Sequence, residues 1–164
     1  MSLSLDEARL GLRSDEEEIR RGAVARLAAP TSADEMAETL DFLVQAMGDS
    51  SWRVRKEAAA RAAAFGDPKL AAEVLAAALA EPENVGRRNA VVEALVGLGA
   101  QAVPALLEAL QARPEHRKLL ADALGLIGDL RAGAVLAPLV DDADANVRVA
   151  VAEALGRIGG TAAK

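Results

Sequence analysis

Apolar positions recur with a helical period along most of the chain. Val147, Ala150, Val151, Ala154, Leu155 and Ile158 fall at i, i+3, i+4, i+7, i+8 and i+11, which is one broad apolar face of an α-helix. Gly159 follows the last of them and suits a left-handed C-cap. Nearly the same helix is written at 115–129, 84–100 and 51–67. Aligned on the arginine near each start, Arg148, Arg117, Arg88 and Arg55 stand 31, 29 and 33 residues apart. A fainter copy, EEEIRRGAVARLAA, places Arg20 a further 35 residues back. Seven positions on come Leu155, Leu124, Leu95, Ala62 and Leu27. The closing pairs are Ile158-Gly159, Ile127-Gly128, Leu98-Gly99 and Phe65-Gly66, whereas the first copy has Pro30 instead.

Shorter apolar segments lie between these helices, at 35–47, 69–80, 102–112 and 132–140, each long enough for about three turns. The pattern therefore predicts pairs of helices, A then B, in a unit of about 30 residues. Start signals agree. Ser14 with Glu17 and Ser32 with Glu35 read as capping boxes. Asp67-Pro68 reads as an N-cap with proline at the first helical position. Pro104 and Pro138 fall inside A segments, which they should bend or start late.

A two-helix unit cannot bury its own apolar stripe, but stacked neighbours can. The near-constant period favours a solenoid over a compact bundle. The expectation is one domain, 1–164, with repeats at roughly 1–30, 32–66, 67–99, 100–129 and 130–160.

Composition sharpens this picture. Hydrophobic residues make up 52% of the chain and aromatics only 2%, so the apolar mass is Ala, Leu and Val. Such a core needs close helix approach, because small side chains bury little area each. No alternating β-branched runs argue for strands. The net charge of −6 disfavours nonspecific nucleic-acid binding, which depends on neutralising phosphates. The chain has no cysteine, which removes disulfides, thiolate metal sites and a Cys nucleophile. Charges interrupt every 18-residue window, and the acidic N-terminal stretch lacks the apolar core of a signal peptide. A cytoplasmic protein without a membrane span is expected.

The stretch DDADANVRVAVAEALGRIGG closely resembles a HEAT repeat of the short bacterial type, the subclass named after phycobilisome lyases. Asp142, Val147, Arg148, Ala152, Glu153, Ala154, Leu155, Gly156, Ile158 and Gly159 fit that pattern. ADALGLIGD at 121–129 fits nearly as well, and 48–67 keeps Asp49, Val54 and Arg55. The resemblance covers roughly residues 15–159 and implies an all-α fold, a right-handed α-solenoid of the armadillo/HEAT-like superhelix kind, with about five two-helix repeats.

The resemblance further implies that Asp and Arg form ladders between repeats. Arg20, Asp49, Arg55, Arg88, Arg117, Asp142 and Arg148 are the structural candidates, capping carbonyls or pairing with nearby Asp. Asp49 and Asp142 stand six residues before Arg55 and Arg148. The same position is Pro82 before Arg88, Gln111 before Arg117 and Ser14 before Arg20. The resemblance also implies that B helices line the concave face. Its two polar columns would be Arg21, Lys56, Asn89, Lys118 and Val149, then Ala25, Ala60, Glu93, Asp122 and Glu153. Candidate partner-binding residues are Arg21, Lys56, Asn89, Glu93, Lys118, Asp122, Glu153 and Trp52, the only tryptophan. Pairs such as Lys118 and Asp122 also fit simple i, i+4 partners.

The chain shows no catalytic signature. His116 is the only histidine, without HExxH-type spacing, and GLGAQAVP at 97–104 lacks the Lys and Ser/Thr of a phosphate loop. Glu16 to Glu18 suit a helix first turn, and Asp141, Asp142 and Asp144 an inter-helix loop. No cofactor or metal is expected. The leading reading is a noncatalytic scaffold or adaptor that presents its concave face to another protein or peptide. The alternatives are a bilin-lyase accessory subunit and a nucleic-acid binder related to HEAT-like DNA glycosylases. Val149 and Val151 cannot both be buried on a terminal helix without a cap, so the C-terminal repeat is expected to seat a further repeat, a partner or a second copy of the chain.

Overall fold

The structure, a computed structural model, describes residues 1–79 and 84–162, the side chains of 161 and 162 excepted. Pro82 and the end of the expected 69–80 segment lie outside the described residues. Ten α-helices and no strands occur among the described residues. They group into two compact units, Met1–Gly97 and Leu98–Lys164.

In the first unit, α1 (Leu5–Leu12) pairs with α2 (Glu17–Ala25), and α3 (Ala33–Ala46) with α4 (Trp52–Ala63). They are followed by α5 (Pro68–Ala78) and α6 (Val85–Leu98). First helices touch first helices, α1 on α3 and α3 on α5, and α2 packs on α4. Each stripe is thus covered by the next copy, as stacked repeats require. The core is Phe42, Leu40, Leu43, Met47, Leu75, Leu79 and Leu95, filled out by alanines of α4, α5 and α6. Small residues let the axes approach: a Cβ placed on Gly97 of α6 would lie 2.7 Å from the Ala63 Cβ of α4.

In the second unit, α7 (Val103–Ala112) packs on α8 (Arg117–Ile127), and α8 on α10 (Ala145–Ala162). Gly125 of α8 sits so close to α10 that a Cβ there would lie 2.7 Å from both Cα and Cβ of Ala154. Pro104 takes the second position of α7, so that helix starts late, in line with the missing N–H of proline. Pro138 has the stronger effect. The last first-helix segment is only one α-turn, α9 (Gly133–Leu136), flanked by 3-10 turns at Leu130–Ala132 and Ala137–Asp141.

Helix ends divide the glycine column in two. Gly99 and Gly128 adopt φ of 58° and 71°, the left-handed cap the pattern implies. Gly66 and Gly159 do not. α4 ends at Ala63 with Ala64 as its cap, and the chain turns through Asp67, which caps Lys69 and Leu70 of α5. α10 runs through Gly159 to Ala162. The Ser14–Glu17 box is also absent: Ser14 Oγ accepts from the Glu16 amide, and Glu16 is a cap without a side-chain bond. A full box occurs instead at Ser4 and Glu7. Ser32 accepts from the Glu35 amide, but the Glu35 carboxylate turns to the amide and hydroxyl of Thr31. The N-terminal segment is tied down by a two-bond bridge, Leu3 N–H to the Arg26 carbonyl and Ala28 N–H to the Leu3 carbonyl.

Candidate binding face

The repeat arginines act at two ranges. Each opens a second helix, and Arg20, Arg55 and Arg148 fold their guanidinium groups back on the loop before it. Arg20 Nη1 donates to the Ser14 and Asp15 carbonyls, Arg55 Nη1 to those of Asp49 and Ser50, and Arg148 Nη1 to those of Asp142 and Ala143, all at 2.8–3.1 Å. These carbonyls lie five and six residues upstream, at the entrance to each second helix.

The carboxylates pair across repeats. Asp49 accepts from Arg20 Nε at 2.9 Å and Nη2 at 3.2 Å, a fork between groups that are 8% and 13% exposed. Asp142 accepts from Arg117 Nη1 at 2.8 Å. Each Asp also caps its own loop, Asp49 for Ser51 and Asp142 for Asp144. The Asp144 amide, and then Arg117, hold the Asp142 carboxyl below its ordinary range. Asp49 holds the Arg20 guanidinium above its own. Arg87 and Arg88 sit at the head of α6: a Cβ on Gly48 would lie 3.0 Å from Arg87 Nε, and Asn84 Nδ2 donates to the Gly48 carbonyl at 3.2 Å.

Five of the eight candidate partner-binding residues gather in the first unit. Trp52, at the start of α4, is 56% exposed and is followed by Arg53, Val54, Arg55 and Lys56. On one side it borders a cleft of about 360 Å³ with Arg21, Arg53, Lys56, Glu57 and Ala60. On the other it borders a cleft of about 300 Å³ with Arg55, Lys56, Gly86, Asn89, Ala90 and Glu93. Trp52 and Lys56, one turn apart, form the shared wall. Arg53 lies over the indole, 5.1 Å from its centroid, and also pairs with Glu17 at 3.1 Å. Arg21 pairs with Glu18 at 2.9 Å. The Ser51 hydroxyl, and then Arg53, hold Glu17 below the ordinary carboxylate range.

The other three candidates lie in the second unit. Lys118 and Asp122 pair with each other at 2.8 Å along α8, and Glu153 meets Arg157 at 3.6 Å along α10. Val151 is buried and Val149 is 59% exposed. His116 is partly covered, near Glu115 at 3.6 Å. No group of three His, Asp or Glu side chains able to hold a metal occurs among the described residues.

Two further tethers escape a sequence reading. Arg61 of α4 reaches the Ala25 and Leu27 carbonyls at the end of α2. Arg131, held by Asp129 at 2.7 Å, reaches the Ala100 carbonyl at 2.8 Å. Arg131 pulls the Asp129 carboxyl down to about 2. The available signal was an arginine standing off the repeat columns near a helix end, where orphan carbonyls need donors.

The family model for HEAT repeats matches residues 5–96 and 103–164. The chain is a HEAT repeat protein. The match is to HEAT repeats as a class, whose fold is all-α and of the α-solenoid kind. No curated protein matches significantly. Among solved structures, three crystal structures of engineered proteins from a structural genomics consortium are similar to it. One is 20% identical over 95% of this chain and 79% of its own, with a TM-score of 0.42. A second is 22% identical over 94% of this chain and 47% of its own, at 0.40. A third is 19% identical over 95% and 98%, at 0.38.

Proposed function

We propose that this HEAT repeat protein is a noncatalytic interaction module that holds another protein on the exposed, concave face of its second helices, with Trp52 as the anchor. The observation that carries this is the exposed indole between two clefts. Large aromatics that stay in water cost solvation and are the commonest anchors at interfaces. Arg21, Lys56, Asn89 and Glu93 of the same unit give register and specificity around Trp52.

Affinity capture with the wild-type chain, with Trp52→Ala, and with an Arg21→Glu, Lys56→Glu double variant tests the reading. A partner held by the wild type and lost from both variants, with helix content unchanged, supports it. Equal recovery on all three removes this face from consideration.

A second contact is favoured by α10. A methyl placed on Gly156 would meet no atom within 4 Å, whereas Gly125, at the same register of α8, is covered by α10. With Val149 exposed beside it, this side of α10 offers a seat for self-association. Light scattering that shows one constant mass across concentrations would remove it.

A further inference from the structure

Among the described residues the arginine ladder has no carboxylate rung beside Trp52. Arg20 and Arg117 each meet an aspartate that stands six residues before the next ladder arginine, Asp49 before Arg55 and Asp142 before Arg148. At the junction that follows Arg55 the same position is Pro82, which has no carboxylate to give. Arg55 still bonds its own loop through Nη1, at 2.8 Å and 2.9 Å. Among the described residues no carboxylate meets it. Its guanidinium lies over Gly86 instead, where a Cβ would sit 3.0 Å from Nε and 3.1 Å from Cζ.

That guanidinium lines the cleft of about 300 Å³ together with Lys56, which also lacks a carboxylate partner among the described residues. The neighbouring cations differ: Arg21 and Arg53 are matched by Glu18 and Glu17. Among the described residues the cleft therefore has two cations without a carboxylate partner and one carboxylate, Glu93, next to an exposed indole and the side-chain amide of Asn89. Its volume accepts about one or two side chains, not a folded element.

We infer that this cleft takes an acidic side chain from an extended segment of a partner protein. The carboxylate supplies the missing rung to Arg55 and Lys56, while an adjacent apolar residue lies on Trp52. Charge-assisted bonds to a carboxylate are about twice as strong as neutral ones, and an arginine already fixed by its loop gives up little further freedom on binding. Glu93 opposes a second negative charge at the far wall, which favours spaced acidic residues over an acidic run. This assignment rests on the proposed function and adds the chemistry of the partner to it.

Trp52 is the only tryptophan and the chain has no tyrosine, so the emission comes entirely from the wall that this cleft shares with its neighbour. The probes are a short capped peptide alternating leucine and aspartate, its asparagine counterpart and its lysine counterpart. The aspartate peptide should shift the emission saturably and weaken with added salt. The asparagine peptide, and the aspartate peptide on Lys56→Gln, should each bind about tenfold more weakly. Arg55→Lys, checked for unchanged helix content, should weaken binding likewise, because an ammonium cannot serve loop and ligand together. Equal binding of the aspartate and asparagine peptides, tighter binding of the lysine peptide, or an unchanged affinity on Lys56→Gln would each overturn the assignment. If capture of a protein partner is lost on Trp52→Ala while the peptides bind alike, the interaction face stands and the carboxylate assignment alone falls.

Discussion

Gly125 and Gly156 occupy the same register, eight residues after Arg117 and Arg148, yet they should respond oppositely to a methyl group. At Gly156 nothing lies within 4 Å, and φ is not in the left-handed region, so Gly156→Ala gains only helix propensity, about 1 kcal/mol. At Gly125 the same methyl meets Ala154 Cα and Cβ, both at 2.7 Å. Carbon pairs rest at about 3.5–4.0 Å, so α8 and α10 must part by about 1 Å. Overpacking of this kind costs about 1–3 kcal/mol, which offsets or exceeds the propensity gain. The difference between the two variants isolates the cost of the contact. Urea melts followed by circular dichroism should place Gly125→Ala about 1–3 kcal/mol below Gly156→Ala, with unchanged slopes. A partner swap extends the test. At Gly97 the close atom is the Ala63 Cβ, with its Cα at 4.0 Å, so Ala63→Gly should relieve the contact in Gly97→Ala. Ala154→Gly should relieve Gly125→Ala only in part, because the backbone carbon remains. If Gly125→Ala proves as stabilising as Gly156→Ala, α8 and α10 are not held together by the absence of a side chain at Gly125.

Asp49→Ala leaves the Arg20 guanidinium without its fork and removes the cap on Ser51, and should cost about 3 kcal/mol in chemical denaturation, whereas Arg53→Ala on the exposed rim should cost under about 1 kcal/mol. Trp52→Ala should change stability by less than about 1 kcal/mol, since the ring is largely in water, while weakening the aspartate peptide in titration calorimetry, which needs no indole. For Asp129 the folded carboxyl is lowered from 3.8 to about 2. Its contribution is therefore present above the unfolded value and lost as pH falls from about 4 toward 2. Asp129→Asn should show a shallower loss of stability than wild type across that window in acid titrations, and parallel curves would mean that the Asp129–Arg131 pair contributes nothing to the fold.

The period of the repeat was legible because arginine, leucine and glycine recur in columns, and those columns follow from helix stacking. The pairing of the ladder was not. Asp49 and Arg55 invite a reading as partners at six residues' spacing, but the Asp49 carboxylate serves Arg20, 29 residues away, while its carbonyl serves Arg55. Backbone and side chain of one residue face different repeats, which no linear spacing reveals. The left-handed cap was legible at Gly99 and Gly128, but Gly66 and Gly159 stand in the same column without using it. Glycine permits that conformation, and the turn that follows decides whether it is adopted; at Gly66 the extended Asp67 turns the chain instead. At the candidate face, Arg21, Lys56, Asn89 and Glu93 line the clefts beside Trp52, whereas Lys118, Asp122 and Glu153 have partners within their own helices. The clefts themselves depend on side-chain packing across helices and had no signature in the pattern.

The two ranges of the ladder arginines have a mechanical consequence. Bonds to the upstream carbonyls hold a repeat together, while the bond to the next aspartate transmits load between repeats. Where the rung exists, as from Arg20 to Asp49, neighbouring repeats should unravel jointly under tension. At Arg55 only the first kind of bond is present among the described residues, and the bond from the Asn84 side chain to the Gly48 carbonyl joins the second repeat to the third, a lighter seam than the Arg20–Asp49 rung. The indole borders this seam. A segment seated there would act as a rivet across it, stiffening the stack when bound and leaving it compliant when free.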